Sequence, residues 1–257
     1  MRIGVIGAGH MGSAMVKGWL KAGQNDIAVM NPENPRVTKF CQQHHLRLFN
    51  DATAMMNWHP DSLVLTTPAA VTLDVVKQFQ DISPQVTMIS AAAGISLADL
   101  QQTLPHHAWM RIIPNIPVAV NAGTIGMAFS DNANQLKKEV LPLMNLLGNV
   151  VVVTEEQLNV VGTIGGCGPA FIDIIMDALG DAAVKHGLSR DKAYQLAASM
   201  INGSGKLALD SKLSPSTLRD QVTSPGGTTI REVEALEKHG VRFAIMDAVD
   251  QASDNWI

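Results

Sequence analysis

Cysteine is scarce in this chain. Cys41 and Cys167 are the only two in 257 residues, too few and too far apart for a disulfide framework or a zinc knuckle. Charge is sparse too: charged residues make up 16% of the chain, and the formal net charge is −4. That balance argues against a nucleic-acid partner, which calls for a basic surface. Apolar residues make up 46%, an ordinary globular share and not that of a disordered chain. No apolar run approaches the roughly 20 residues that span a bilayer. The N-terminal apolar run is short and passes directly into a glycine turn, unlike a signal peptide. The sequence has no internal repeat and no low-complexity segment. Histidine is more plentiful, but His44-His45 and His106-His107 are adjacent pairs whose members diverge on a helix or strand. No metal site is expected. Together these absences predict a reduced, cytoplasmic globular protein with neither a membrane nor a nucleic-acid partner.

What is present begins at the first residue. Ile3, Val5 and Ile6 form a β-branched apolar run that leads straight into Gly7-Ala8-Gly9-His10-Met11-Gly12, and a helical pattern follows. A strand, a GxGxxG turn and a helix in that order form the context in which the motif signals dinucleotide binding. Gly7 permits the tight turn and Gly9 lets the backbone approach a pyrophosphate. Gly12 lets helix and strand pack closely, and the helix N-terminus presents free N–H groups to the phosphates.

Strand and helix signals then alternate. Strands are predicted at 27–30, 46–49, 62–66, 86–90, 109–113, 125–129 and 149–153, with helices at 35–45, 52–57, 71–79, 97–104 and 135–147. Such alternation implies a doubly wound parallel sheet of the Rossmann type. Ligands of these sheets sit beyond the carboxyl ends of the strands. The rule gathers the glycine turn, Asn31, Asn50, Thr66-Thr67-Pro68 and Ala92-Ala93-Gly94 around one crevice as candidate cofactor residues, with Asn115 after the next strand. Asn31 stands where an NAD enzyme usually carries a carboxylate. Its neutrality, with Arg36 and Lys39 just beyond, favours NADP, and NAD is possible.

After Thr154 strand signals vanish, and helices are predicted at 155–161, 169–186, 190–210, 215–222, 229–238 and 241–253. The expected division is a dinucleotide-binding domain over 1–154 and an all-helical domain over 155–257. Ile172, Ile174, Ile175, Leu196 and Met200 spread apolar character over more than one helix face. Helices apolar all round want burial, so a homodimer, or a larger assembly of dimers, is expected.

Leu218-Arg-Asp-Gln-Val-Thr-Ser-Pro-Gly-Gly-Thr-Thr-Ile230, together with the N-terminal glycine turn, closely resembles the signature of the pyrroline-5-carboxylate reductases. Ala91-Ala-Ala-Gly-Ile95 is similar to that family's Ala-Ala-Gly segment. Met110-Arg-Ile-Ile-Pro-Asn-Ile-Pro117 resembles its Met-Arg-x-Met-Pro-Asn-x-Pro, and Gly166-Cys-Gly-Pro-Ala-Phe171 its Gly-Ser-Gly-Pro-Ala-Tyr. The resemblance implies NAD(P)H-dependent reduction of the cyclic imine 1-pyrroline-5-carboxylate to proline, the last step of proline biosynthesis. By it, Thr229 is the catalytic hydroxyl that hydrogen-bonds the ring nitrogen. Ser224, Gly226, Gly227, Thr228 and Thr229 form the substrate site, the carboxylate resting on backbone N–H groups at a helix start.

The chain also departs from the family pattern. Thr66-Thr67-Pro68 replaces Val-Lys-Pro, Asn31-Pro32 replaces Asn-Arg, Gly165-Gly-Cys-Gly168 replaces Ser-Gly-Ser-Gly, and Glu232 replaces a small residue. The alternatives are a paralogue acting on another cyclic imine and a non-catalytic dinucleotide-binding regulatory protein. β-Hydroxyacid dehydrogenases use a lysine near the start of the helical domain, and no lysine occurs between Lys138 and Lys185.

Overall fold

The computed structural model describes residues 1–130, 133 and 137–253. Its first half alternates strictly: β1 (Ile3–Ile6), α1 (His10–Lys21), β2 (Ile27–Met30), α2 (Pro35–Gln43), β3 (Arg47–Phe49), α3 (Ala52–Asn57), β4 (Ser62–Leu65), α4 (Ala69–Lys77), β5 (Thr87–Ser90), α5 (Leu97–Thr103) and β6 (Trp109–Pro114). A 3-10 turn at Ile116–Val120 leads to β7 (Gly123–Phe129), α6 (Lys137–Asn145) and β8 (Gly148–Val152). The predicted helix over 135–147 began at two residues that lie outside the described ones.

The eight strands form one sheet in the order β3-β2-β1-β4-β5-β6-β7-β8. All neighbours are parallel except β6 and β7, which run antiparallel. The chain reverses there because the 3-10 turn is too short for a crossover helix, which a parallel connection needs. Ile6 pairs with both Met30 and Leu65, and Met30 pairs with Phe49. The first four strands in space therefore end level, and the loops that follow them open on one edge.

Alternation along the strands sends side chains into two apolar layers. Ile3 and Val5 join Met15, Trp19 and Leu143 on one face, while Ile6 joins Met55, Leu65, Phe79 and Trp109 on the other. Each fully buried side chain of this kind contributes about 1.5–3 kcal/mol. Trp19 Nε1 also donates to the Leu143 carbonyl at 3.1 Å, so the indole is satisfied inside the core. Asn121, in the left-handed conformation at φ 62°, donates to the carbonyls of Gly18 and Leu146 and fastens the 3-10 turn to α1.

The second half is helical: α7 (Leu158–Gly162), a π-helical turn (Thr163–Cys167), α8 (Gly168–Lys185), α9 (Arg190–Ser211), α10 (Pro215–Gln221), α11 (Thr228–Lys238) and α12 (Val241–Ser253). The π turn was not foreseen. The chain divides into two compact units, Met1–Gly166 and a second beginning at Cys167. Leu158–Lys185 is continuously helical over 28 residues with a mean hydropathy of 1.5 in its most apolar window, long and apolar enough to cross a membrane. That corrects the expectation that no apolar run comes near that length. Asp173, Asp177 and the glycines interrupt a contiguous reading, but a helix averages over them. Within the second unit this helix and the next expose apolar side chains: Ile174 on α8 is 70% exposed and Leu196 on α9 58%.

One buried titratable group makes stability depend on pH. His107 is 2% exposed and its ring lies 3.1 Å from the Ser83 carbonyl. Burial holds its imidazole below its usual value despite that bond. The unfolded chain therefore takes up the proton first as pH falls, and the folded state loses stability below about pH 6.5. Thermal unfolding midpoints measured from pH 7.5 to 5 should decline, and the decline should be shallower in His107→Gln. Parallel curves for the two proteins would refute this.

Candidate active site

The glycine turn is built by what its residues lack. Gly7 sits at φ +89°, a conformation that L side chains rarely adopt, and its N–H donates to the Met30 carbonyl at 2.8 Å. A Cβ on Gly12 would drive into the Gly7 carbonyl oxygen and the Thr66 hydroxyl. A Cβ on Gly9 would meet nothing within 4 Å, because the backbone there faces open space. Gly9 is the N-cap of α1, and no side chain caps that end among the described residues. The first N–H groups of the helix are thus left for a ligand, where the dipole favours an anion.

Around this turn lies a cavity of about 720 Å3. Of the predicted cofactor residues, Gly7, Gly9, His10, Asn31, Asn50, Thr66, Thr67 and Pro68 line it. Ala8, Met11 and Gly12 do not line it. Ala8 is buried with its N–H on Asn31 Oδ1 at 3.1 Å, and Gly12 backs the turn. Ala92, Ala93 and Gly94 stand outside it, after β5, and Asn115 follows β6. Asn115 is nearly buried, donating to the Gly165 carbonyl and accepting from Thr124 N–H, both at 2.8 Å.

Several details were not legible beforehand. Asn31 is occupied within the protein, since its Oδ1 takes the Ala8 N–H and its Nδ2 donates to the Pro32 carbonyl at 2.7 Å. Thr66 Oγ1 donates to the Gly7 carbonyl, and Thr67 and Thr72 share a hydroxyl contact of 2.8 Å. Val71, Val75 and Gln78 supply a wall that sequence reasoning missed, although their i, i+4, i+7 spacing directly after β4 was a usable signal. Arg36 and Lys39 line an adjoining hollow of about 410 Å3, in which Arg36 Nη1 lies 3.4 Å from His10 Nε2. A larger hollow of about 850 Å3 is lined by Met1, Asp61, Asp81 and Glu139. It lies beside residues that precede β1, β4 and β5, at the opposite edge of the sheet from the glycine turn.

In the second unit, Ser224, Gly226, Gly227, Thr228 and Thr229 do come together as one turn. Gly226 is at φ +69°, and Gly227 N–H donates to the Ser224 carbonyl at 3.0 Å. Gly227 is the N-cap of α11, with no side-chain cap among the described residues, and Thr228 and Thr229 open the helix. Thr228 is therefore the first helical residue.

An open backbone cradle at a helix start, a flush set of strand ends and an apolar wall for a flat base fit a dinucleotide in kind and volume. Fold and site together define an oxidoreductase of the Rossmann class. The model of the family described as "NADP oxidoreductase coenzyme F420-dependent" matches residues 2–94, and that described as "Pyrroline-5-carboxylate reductase dimerisation" matches residues 155–256. The pyrroline-5-carboxylate reductase of Methanosarcina acetivorans is 34% identical, over 98% of this chain and 96% of that protein. The Escherichia coli enzyme is 30% identical over 98% and 96%. The solved structure of the Coxiella burnetii reductase has a TM-score of 0.87 at 28% identity, covering 98% of this chain and 96% of that one. A Plasmodium falciparum pyrroline carboxylate reductase, solved with NADP bound, has a TM-score of 0.82 at 25% identity, over 99% and 96%. The chain belongs to the pyrroline-5-carboxylate reductase family.

The glycine turn yields a paired prediction. The Cβ of Gly9→Asp meets nothing within 4 Å, so the variant's stability should stay within about 0.5 kcal/mol of wild type. Its charge would occupy the phosphate approach, and calorimetry should detect no NADPH binding. Gly12→Ala should instead cost about 1–3 kcal/mol of stability, because backbone stands in the way. Undiminished NADPH affinity in Gly9→Asp would contradict the cradle.

Proposed function

We propose that this chain reduces 1-pyrroline-5-carboxylate to L-proline with NADPH. The observation that carries the reading is the relationship to named pyrroline-5-carboxylate reductases across 98% of the chain. Its two glycine turns, at Gly7–Gly12 and at Gly226–Thr229, both open on uncapped helix starts. In the reaction the imine carbon gains a hydride, the ring nitrogen ends with one proton, and the C=N bond becomes single.

The residues divide by role in this proposal. Bound NADPH supplies the hydride. The N–H groups of Gly9, His10 and Met11 hold the pyrophosphate, and Val71 and Val75 flank the base. Ala8 and Gly12 keep the turn in shape, with Asn31, Asn50 and Thr66-Thr67-Pro68 around it. Ala92, Ala93, Gly94 and Asn115 serve the reactive end of the dinucleotide. The backbone N–H groups of Gly226, Gly227 and Thr228 take the substrate carboxylate, where the start of α11 favours an anion. Ser224 shapes that turn. The Thr229 hydroxyl hydrogen-bonds the imine nitrogen and favours its protonated form, the better hydride acceptor. NADPH is preferred over NADH, because Asn31, the residue directly after β2, is uncharged and Arg36 stands nearby.

Residues 1–154 form the dinucleotide domain and residues 155–257 the substrate and dimerisation domain in this reading. The protein is a cytoplasmic homodimer, with a small imine as its substrate and no membrane or nucleic-acid partner. The exposed apolar faces of α8 and α9 support the dimer. Light scattering at micromolar concentration should therefore give at least twice the monomer mass, and a monomer would refute it.

Thr229→Ala tests the chemistry. A hydrogen bond to a charged group is worth roughly 1.5–3 kcal/mol. Its loss should lower kcat/KM about ten- to a hundred-fold. NADPH affinity should hold, and Thr229→Ser should keep most activity. Equal impairment of Ala and Ser variants would show that shape, not the hydroxyl, is what the site requires. NADPH binding by the wild type without turnover would favour the regulatory alternative.

A further inference from the structure

Arg111, buried, and Glu155, half-buried, form an ion pair that neither the glycine turn nor the substrate turn uses. Arg111 is 8% exposed, on the face of β6 that also carries Trp109 and Ile113. Its Nη1 donates to Glu155 Oε1 at 2.5 Å, and its Nε has no hydrogen-bond partner among the described residues. The same Oε1 accepts the backbone N–H of Leu97 at 2.7 Å. Leu97 is the first residue of α5, so the carboxylate rests against a helix N-terminus that is already capped by Ser96 and Asp99.

An ion pair placed among apolar side chains is a poor source of stability, because desolvation offsets its attraction. Its effect is geometric. One oxygen ties the middle of β6 to the start of α5, and the segment between β5 and α5 is Ala91-Ala92-Ala93-Gly94-Ile95-Ser96. The cavity at β1, β2 and β4 has room for the nucleotide half of a dinucleotide. In a doubly wound sheet the other half extends past the switch point, toward the ends of β5 and β6. The loop after β5 is thus a wall of the reacting end, and its rear anchor is Glu155.

We propose that Glu155 and Arg111 are positioning residues, which hold the 92–94 loop at the distance that hydride transfer requires. The proposal rests on the reductase reading. It predicts a loss in the chemical step, not in cofactor capture, since the phosphate cradle lies on other strands.

Glu155→Ala, Glu155→Gln and the apolar pair Arg111→Met with Glu155→Leu test it. In Glu155→Ala, kcat should fall on the order of ten-fold or more, the scale of a small misplacement. The NADPH Kd should move less than about three-fold, and the deuterium isotope effect on kcat should rise as hydride transfer becomes limiting. Glu155→Gln keeps an acceptor for Leu97 N–H and should retain most of kcat. The apolar pair should recover the thermal midpoint but not kcat, which separates positioning from stability. In cofactor-free protein, amide exchange over 91–97 should quicken about ten-fold in Glu155→Ala while β1 and β4 stay protected. That reading is independent of turnover, so it decides the anchor even if the wild type reduces no pyrroline-5-carboxylate. Wild-type kcat and isotope effect in the apolar pair, or unchanged exchange over 91–97, would overturn the proposal.

Discussion

The approach of backbone to backbone at Gly12 is the constraint on which the first unit depends. Helix α1 begins where it does because nothing projects from Gly12 toward the Gly7 carbonyl and the Thr66 hydroxyl. Thr66 closes the contact from the neighbouring strand by donating to that carbonyl. Two turns further along α1, Gly18 admits the Val118 carbonyl in the same way. Asn121 then fastens the 3-10 turn to the carbonyl of Gly18. Helix α1 is therefore gripped at both ends by backbone, and its amino end is held level with the ends of β1, β2 and β4. A side chain at Gly12 would push the helix outward and turn its free N–H groups away from the cavity.

Much of this was legible because it is local. The β-branched runs, the glycine spacing and the change to helical periodicity after residue 154 each depend on neighbours in sequence. What escaped depends on partners far along the chain. Asn31 meets Ala8 across 23 residues, and Arg111 meets Glu155 across 44. No periodicity reports such pairings. The antiparallel join of β6 and β7 escaped for a similar reason, since strand patterns carry no direction. At the substrate turn the residue types were visible, but the cap falls on Gly227 because an extended glycine needs no side chain to start the helix.

The second unit raises a different physical question. Helices α8 and α9 bury only Gly180, Ala193 and Ala197 fully. Tyr194 packs where Gly180 has no side chain, its hydroxyl donates to Asp177 at 2.6 Å, and Arg190 lies over its ring. Small residues let the two helices come close and spend little apolar surface doing so. The larger side chains, Ile174, Leu196 and Leu207, point elsewhere and remain more than half exposed. A surface of that extent seeks apolar cover, in keeping with a family model described by dimerisation.

The departures from the family pattern fall where this chain has moved its interactions. Where the family carries Val-Lys-Pro, Thr66 and Thr67 have both hydroxyls engaged, one on the Gly7 carbonyl and one with Thr72. A flexible cation has been exchanged for a stiffer loop. Where the family carries Asn-Arg, Pro32 offers its carbonyl to Asn31 and contributes no charge. Arg36 instead brings a cation, in the first turn of α2, set against His10 at the first turn of α1. Arg36 and the amino end of α1 thus place positive charge beside the glycine turn. Both helix starts already carry the positive end of a dipole. The guanidinium adds to a field that the backbone has established.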